Sequence, residues 1–168
     1  MTEENLPASE TINEEEQRCL VFVDNSQELE RALYYACRRA RRFDGRVVLL
    51  YCTEQPESEH FIQFLGISNR LEEESREEAE QLLHDLAEKT FQWSKKHAIV
   101  MIEEDVKAAL PRLLAEENVS NIIQPMPSKE NSSESWGRYL LEEGADALHI
   151  PVTMIPATMT IEEINKLT

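Results

Sequence analysis

Two short apolar runs on either side of one amphipathic segment limit the possible fold of this chain more than any other feature. Residues 19–23 and 46–52 have strand length and no polar face, which is typical of strands buried on both faces of a sheet. Between them, apolar residues recur at helical spacing from Leu29 to Ala40, and Gly45 suits the residue just after a helix. Strand, helix and strand with short joins predict a parallel, right-handed βαβ unit.

The alternation of apolar runs and helical segments continues along the chain. A helix is predicted over residues 71 to 96, and further strands over residues 99–102, 119–123 and 152–155. The inner stripe predicted for this helix comprises Ala79, Leu82, Leu83, Leu86, Ala87, Thr90 and Phe91. Five strands alternating with helices predict a single α/β domain, in which an open, parallel, doubly wound sheet has helices on both faces.

The shorter segments complete this prediction. A helix over residues 105–117 contains Pro111 and should kink or break near Ala109 and Leu110, because proline removes a helix donor. A later helix over residues 132–148 has as its inner positions Trp136, Tyr139, Leu140 and Ala147. The connection over residues 53–70 is predicted to form a short helical lid on Phe61, Ile62, Phe64 and Leu65. Pro151 and Pro156 flank the last strand and suit the edge of a sheet.

Charge and composition exclude several function classes. The 168 residues include 33 acidic and 17 basic side chains, and the net charge of −16 repels nucleic acid and anionic lipid. A basic cluster at Arg38, Arg39, Arg41 and Arg42 is interpreted as a solvated helix end. No apolar run approaches the roughly 20 residues of a membrane helix, and the first residues do not resemble a secretory signal. We therefore expect a cytoplasmic protein with no nucleic-acid or membrane partner.

The chain divides into three parts. Residues 1–17 are acidic and lack apolar periodicity, which predicts a disordered tail. Residues 18–156 carry the α/β pattern, and residues 157–168 form a C-terminal helical tail. Cys19, Cys37 and Cys52 contain no C-x-x-C pair and lie among apolar neighbours, which favours buried side chains over a disulfide framework or a nucleophile. The four histidines lack metal-ligand spacing, so no metal site is predicted.

Both ends of the α/β pattern resemble a known family. The segment RCLVFVDNSQELERALYYACRRARRFDGRVVLLYC, residues 18–52, resembles the first βαβ unit of the universal stress protein family, and HIPVTMIP resembles its closing strand. The resemblance covers about residues 18–156 and implies a Rossmann-like fold of the HUP type with strand order 3-2-1-4-5. Residues 36–41, 76–83 and 151–167 are similar to a variant of the family found in alphaproteobacteria.

The resemblance also implies a nucleotide site, whose motif is altered here. Nucleotide-binding members carry G-x-x-G, nine residues and then G-S/T after the fourth strand, where glycine N–H groups approach phosphate oxygens. Gln124 and Pro127 stand at the first two glycine positions, Gly137 keeps the third, and Arg138 replaces Ser or Thr. Pro125 and Pro127 have no N–H to offer. We therefore expect a degenerate phosphate loop and no bound cofactor, with ATP as the alternative.

Asp24 stands where the nucleotide-binding relatives contact the adenine and ribose end of their ligand. The same residue, or Asn25 or Ser26, suits the cap of the following helix, and capping is the role that we predict for Asp24. Arg138 could still hold a phosphate oxygen by its charge. Side chains that could build an irregular anion site, but that we interpret as solvated, are Ser128, Lys129, Ser132 and Ser133. The vestigial nucleotide site therefore comprises Asp24, Gly137 and Arg138.

The function expected from the resemblance is a non-catalytic stress-response module. Family members commonly dimerise through the last strand, which implies an interface at Val152, Thr153, Met154 and Ile155, and an exposed apolar edge favours such pairing. The module would act as a homodimer and bind an unidentified protein partner, without ATP. The alternative is an adenine-nucleotide-binding sensor with an altered phosphate loop.

Two further classes stay open at this point. A phosphoacceptor receiver domain has a similar five-stranded parallel fold, and here Asp24 ends the first strand while acidic residues 103–105 follow the third. Receivers need a lysine after the fifth strand, however, where this chain has Pro156. A thiol enzyme using Cys37 or Cys52 would lack both C-x-x-C and a histidine at recognisable spacing. Neither class matches the residues as well as the stress-protein module does.

Overall fold

The computed structural model describes residues 16–24, 26–53, 70–127, 136–142, 144, 146 and 148–168, apart from the side chains of 70–75. The strands are β1 Arg18–Phe22, β2 Arg46–Cys52, β3 Ile99–Glu103, β4 Val119–Pro125 and β5 Val152–Ile155. The helices are α1 Leu29–Arg42, α2 Arg70–Ser94, α3 Val106–Glu116, α4 Trp136–Glu142 and α5 Ile161–Leu167. Residues 1–15 of the predicted tail lie outside the described residues, as do the predicted lid residues Phe61, Ile62, Phe64 and Leu65.

The five strands pair in parallel in one sheet, in the order β3-β2-β1-β4-β5. This confirms the predicted α/β class and strand order. In the central strand β1, Leu20, Val21 and Phe22 are fully buried. Because helices cover both faces of a parallel sheet, a central strand needs apolar side chains on both sides.

The helices cover the sheet in two layers, each with its own apolar cluster. On one face, α1 and α2 pack over alternate strand residues that include Val21 and Leu49. On the other face, α3 and α4 pack over the residues between them, such as Phe22 and Leu50. Successive side chains of a strand point to opposite faces, so one uninterrupted apolar run supplies both clusters.

Strand β4 is two residues longer than its apolar run predicts. The apolar run ends at Ile123, but Gln124 and Pro125 continue the strand by pairing with Met154 and Ile155 of β5. The N–H of Met126 also donates to the carbonyl of Ile155 at 2.8 Å. The extension therefore depends on the neighbouring strand rather than on local hydrophobicity, and it places Gln124 inside the sheet.

The inner stripe of α2 differs from the prediction at its end. Leu83, Leu86 and Thr90 are buried as expected, but the stripe continues to Ser94, which is 4% exposed. Phe91 is 45% exposed and stacks on the ring of His97, with 4.5 Å between the ring centroids. Residues 83, 86, 90 and 94 lie on one face of the helix. Phe91 follows Thr90 directly and therefore lies outside that face.

Helix α3 continues through Pro111 without the predicted break. The side chain of Asp105 caps it by accepting a hydrogen bond from the N–H of Lys107 at 2.9 Å. Ala109, Leu110 and Leu113, on either side of the proline, are buried against the sheet. This packing stabilises the helix on both sides of the missing proline N–H.

Helix α4 is shorter than the predicted helix over residues 132–148. It ends at Glu142, and the N–H of Gly144 donates to the carbonyl of Tyr139 at 3.0 Å. A hydrogen bond that spans five residues back is a common way to close a helix at glycine. Residues 132–135, 143, 145 and 147 of the predicted helix lie outside the described residues.

The turn after α1 shows why Gly45 is needed. The sequence predicts Gly45 as the residue just after the helix, but the cap is Phe43 and Asp44 follows it directly, with a left-handed φ of 53°. A Cβ on Gly45 would lie 2.2 Å from the carbonyl oxygen of Gln17. Close approach of two backbone segments, rather than a special φ, therefore requires glycine here.

The C-terminal segment packs along α1. Ile164 of α5 is fully buried, and the hydroxyl of Tyr34 donates to Oδ1 of Asn165 at 2.7 Å. A capping box between Thr160 and Glu163 starts the helix. No helix within the described ranges is long and apolar enough to cross a membrane.

Candidate functional site

The carboxyl edge of the sheet between β1 and β4 is the candidate site. The chain order reverses there: β2 and β3 lie on one side of β1, whereas β4 and β5 lie on its other side. In open α/β sheets, ligands bind outside the carboxyl ends of the strands at such a reversal. Asp24 follows β1, Gln124 and Pro125 end β4, and Gly137 and Arg138 begin α4.

Asp24 forms a turn and does not cap α1. Its Oδ1 accepts a hydrogen bond from the N–H of Ser26 at 2.8 Å, which is the geometry of an Asx turn. Helix α1 begins only after Glu28, whose side chain makes no capping bond. The predicted capping role of Asp24 is therefore wrong, because two further residues separate the turn from the helix. Asn25 lies outside the described residues.

Gln124 fills the space between the ends of β1 and β4. Its side chain is fully buried. With the amide oriented so that both its atoms have partners, Oε1 accepts from the N–H of Phe22 at 3.3 Å and Nε2 donates to the carbonyl of Ile123 at 3.2 Å. The hydrogen-bonded register of β1 with β4 ends at Leu20 and Ile122. The amide thus binds backbone groups at the point where the two strands separate.

Gly137 lies against the two prolines of the loop. A Cβ at this position would meet the carbonyl oxygen of Pro125 at 2.8 Å and ring atoms of Pro127 at 3.1 and 3.2 Å. The first turn of α4 is therefore in contact with the end of β4 and the ring that follows it. Glycine is required here by protein packing alone.

Trp136 anchors α4 beside the same crevice. Its ring is 1% exposed and stacks on Phe22, with centroids 5.2 Å apart and planes inclined by 26°. Helical spacing predicts Trp136 as an inner helix position but does not predict that it borders the site. Its position directly before Gly137 in the sequence could have indicated this.

Ser26 and Trp136 each have a buried polar atom near this edge without a hydrogen-bond partner within the described part of the chain. These atoms are Oγ of Ser26 and Nε1 of Trp136. Such atoms are uncommon in folded proteins. Arg138 is partly exposed on α4 and forms an ion pair with Glu142 at 3.3 Å.

The thiols do not have the character of nucleophiles. Cys19, Cys37 and Cys52 are buried and unoxidised. Burial raises the pKa of Cys19 to about 11 and the pKa values of Cys37 and Cys52 to about 12. A reactive cysteine needs a lowered pKa and access to solvent, so these thiols favour a packing role.

Two acidic residues at the carboxyl end of β3 make structural contacts. Glu103, the last residue of the strand, pairs with Arg112, and Asp105 caps α3. Among the described residues, no group of three or more histidine, cysteine, aspartate or glutamate side chains could hold a metal ion.

The predicted dimer strand β5 is an edge strand, paired on one side with β4. Val152 and Met154 line an apolar groove of about 280 Å³ together with residues of α4 and the segment after it. Thr153 points to the other face, where its hydroxyl donates to Oδ1 of Asn121 at 3.3 Å. Ile155 is 3% exposed and packs in the same apolar cluster as α1 and α2. Its carbonyl accepts from the N–H of Met126 on the β4 side, so Ile155 does not present its side chain or its carbonyl at the outer edge.

The fold and the crevice define an α/β protein of the open, five-stranded, Rossmann-like class. A family model described as the universal stress protein family matches residues 16–134 of this chain. The chain belongs to the universal stress protein family. No curated protein sequence matches it significantly.

Solved structures support the same fold. A universal stress family protein from Burkholderia pseudomallei is 22% identical, with 83% of this chain and 95% of that chain covered and a TM-score of 0.57. The universal stress protein UspA from Lactobacillus plantarum is 15% identical, with 83% and 97% covered and a TM-score of 0.61. A universal stress protein in complex with cAMP is 14% identical, with 84% and 98% covered and a TM-score of 0.51.

Proposed function

We propose that this protein is a non-catalytic stress-response module that acts in the cytoplasm as a homodimer, binds a protein partner and does not use ATP. Membership of the universal stress protein family supports the stress-response role. The amino-acid sequence of residues 36–41, 76–83 and 151–167 supports the assignment of this protein to the alphaproteobacterial variant. The buried side chain of Gln124 at the first glycine position carries the proposal that the nucleotide site has been lost.

Three features of the phosphate loop oppose nucleotide binding. Gln124 fills the crevice where the family pattern has no side chain, and its amide bonds to backbone of β1 and β4. Pro125 and Pro127 offer no N–H to an anion. Gly137, the one glycine retained, contacts both prolines, so a phosphate at this turn would compete with the Pro127 ring. The residues present do not fit the phosphate cradle of the family.

The dimer proposal rests on the β5 edge. An edge strand presents unpaired N–H and C=O groups that pair readily with another strand. Beside this edge lies the apolar groove of Leu140, Leu141, Leu148, Ile150, Val152 and Met154. Leu141 is 60% exposed. A second copy related by a two-fold axis would pair β5 with its equivalent and cover both grooves with identical residues.

A thermal melt with and without millimolar ATP and Mg²⁺ tests the nucleotide proposal. We expect no shift, whereas a ligand at 100 times its Kd would add about 2.7 kcal/mol to the free energy of unfolding. The variant Gln124→Gly with Pro127→Gly restores both glycine positions and serves as the comparison. A shift in the wild-type protein, or nucleotide released from it by acid, would show that the proline loop still binds.

Sedimentation of Val152→Lys and Met154→Lys tests the dimer. Each change adds a charge to the apolar groove, and we expect a monomer. Ile102→Lys is the matched control, because Ile102 is 59% exposed on β3 at the opposite edge of the sheet. A dimer that survives both β5 changes would place the interface elsewhere.

A second candidate function is an adenine-nucleotide-binding sensor. The unpartnered Oγ of Ser26 beside Asp24 favours it, and a structure with the same fold is a complex with cAMP. In that case Arg138 would supply the charge that the loop N–H groups no longer offer. Loss of a bound nucleotide in Arg138→Ala, with the melting temperature of the free protein unchanged, would support this function.

A further inference from the structure

The C-terminal end of α1 carries a cationic surface on a strongly acidic protein. Arg39 and Arg42 lie over the ring of Phe43, with Cζ atoms 5.4 and 5.9 Å from its centroid. Phe43 is 51% exposed, and Arg41 and Arg42 are exposed as well. We call Arg39, Arg41, Arg42 and Phe43 the arginine patch.

The arginines of this patch have no carboxylate partner among the described residues. Other basic side chains do, since Arg18, Arg46, Lys89, Lys96 and Arg112 each form an ion pair. The chain has 33 acidic and 17 basic residues. Placement at a helix C-terminus favours these cations, and their guanidinium N–H groups can donate to a further carboxylate.

The described chain begins beside this patch. Gln17 lies against the turn that ends α1, because its carbonyl accepts from the N–H of Arg46 at 3.0 Å. Glu16 is held by Lys96 at 3.2 Å, and Nζ of Lys96 also donates to the carbonyl of Asp44 at 2.7 Å. Residues 1–15 are thus joined to the described chain at Glu16, next to Gln17, which contacts the turn that contains Phe43 and Gly45.

The chemistry of residues 1–15 matches the patch. They contain five glutamates, no lysine and no arginine, and they include the apolar Leu6 and Ile12. Carboxylates suit the guanidinium groups, and an apolar side chain suits the exposed Phe43 ring. An extended chain spans about 3.3 Å per residue, and the patch ends two residues before Gly45, which Gln17 contacts, so residues 1–15 are long enough to span it.

We propose that residues 1–15 dock on the arginine patch of the same chain, with their glutamates on the three guanidinium groups and an apolar residue on Phe43. Tethering at Glu16 makes the contact intramolecular and raises the effective concentration of the acidic segment. The docked segment neutralises the cationic surface and would compete with any other acidic polypeptide for it.

Paramagnetic NMR on the full chain tests this contact. A nitroxide attached to Ser9→Cys serves as the probe, since the native cysteines are buried with raised pKa values. We expect selective loss of the amide signals of Arg42 and Phe43. Asn118, whose Nδ2 donates to the carbonyl of Glu16 at 3.0 Å, is the reference near the same entry point and should lose less signal.

Charge variants separate docking from mere proximity. The selective loss should disappear in Arg39→Gln/Arg41→Gln/Arg42→Gln and in Glu10→Gln/Glu14→Gln/Glu15→Gln. It should remain in Lys107→Gln/Arg112→Gln/Lys166→Gln, which removes the same charge elsewhere. It should also vanish in about 1 M salt, where the Debye length falls to about 3 Å.

Three outcomes would overturn the proposal. One is equal signal loss at Asn118 and Phe43, which indicates a segment that samples the region without docking. Another is selective loss that persists in the triple arginine variant. The third is selective loss in a mixture of spin-labelled protein at natural isotope abundance with isotope-labelled, spin-free protein, because only a contact between two copies can cause it. The thermal melts and sedimentation runs of the proposed function do not depend on any of these results.

Discussion

The side-chain amide of Gln124 binds the backbone N–H of Phe22 at 3.3 Å, at the point where β1 and β4 separate. In this fold the two strand ends enclose the crevice where a ligand would be held. Here a protein side chain satisfies a backbone group of β1 that β4 does not pair. Gln124 is therefore part of the buried core, and its amide should contribute to stability.

The first prediction concerns this contact. Gln124→Met keeps most of the volume but removes the amide, which leaves the buried N–H of Phe22 without this partner. We expect a loss of about 1–3 kcal/mol in the free energy of unfolding, measured by urea denaturation. Gln81→Met on the exposed face of α2 is the control and should change it by less than about 0.5 kcal/mol. Equal stability of the two variants would contradict a structural role for the amide.

The second prediction concerns Gly137. Its replacement by alanine would place a Cβ 2.8 Å from the carbonyl oxygen of Pro125. We expect a loss of about 1–3 kcal/mol from overpacking, measured as a lowered urea midpoint without any ligand present. Gly144→Ala is the comparison and should cost less, since its nearest contact would be 3.2 Å. An unchanged midpoint for Gly137→Ala would mean that packing does not explain the glycine.

The third prediction follows from the buried thiols. The pKa of Cys37 is raised from 9.0 to about 12 by burial. Between these values the folded state binds more protons than the unfolded state, so the free energy of unfolding must fall as pH rises. The thiol contribution is complete below about pH 9 and is lost as the pH approaches the folded value.

Denaturant titrations across this alkaline range measure the effect. Cys37→Ala removes one thiol, and although it should be less stable at neutral pH, its stability should decline less steeply with pH. Native protein should also react with iodoacetamide far more slowly than urea-unfolded protein. A variant with the same alkaline slope as the wild type would assign that slope to other groups.

The fourth prediction concerns the C-terminal segment. Ile164 is fully buried under α5, whereas Ile161 on the same helix is 47% exposed. We expect Ile164→Ala to lower the free energy of unfolding or of local detachment by about 2 kcal/mol or more. Ile161→Ala should have little effect. Hydrogen exchange of the α5 amides reports detachment directly, and equal protection in both variants would contradict the docked arrangement.

Much of the architecture could be predicted because its signals are local. Residues 46–52 and 152–155 form strands with the predicted bounds, since apolar runs between glycine or proline residues identify their own ends. The buried cysteines also follow from their apolar neighbours. The strand order was implied by family resemblance, which carries topological information that periodicity lacks.

The candidate site was harder to predict because its features depend on neighbours in space. The sequence places Gln124, Pro127, Gly137 and Arg138 at the motif positions, but it does not show that Gln124 is buried. That burial requires β5, whose pairing with Gln124 and Pro125 extends β4 beyond its apolar run.

Local chemistry in the chain therefore predicts the kind of fold, and the family resemblance implies that Gln124 and Pro127 stand where nucleotide-binding members carry glycine. Contacts between distant segments settle how each residue is used. Asp24 forms a turn because α1 starts after Glu28, and Phe91 is exposed because the inner face of α2 runs through Ser94. A residue's burial and partners are set by what packs against it, and only the folded chain specifies those neighbours.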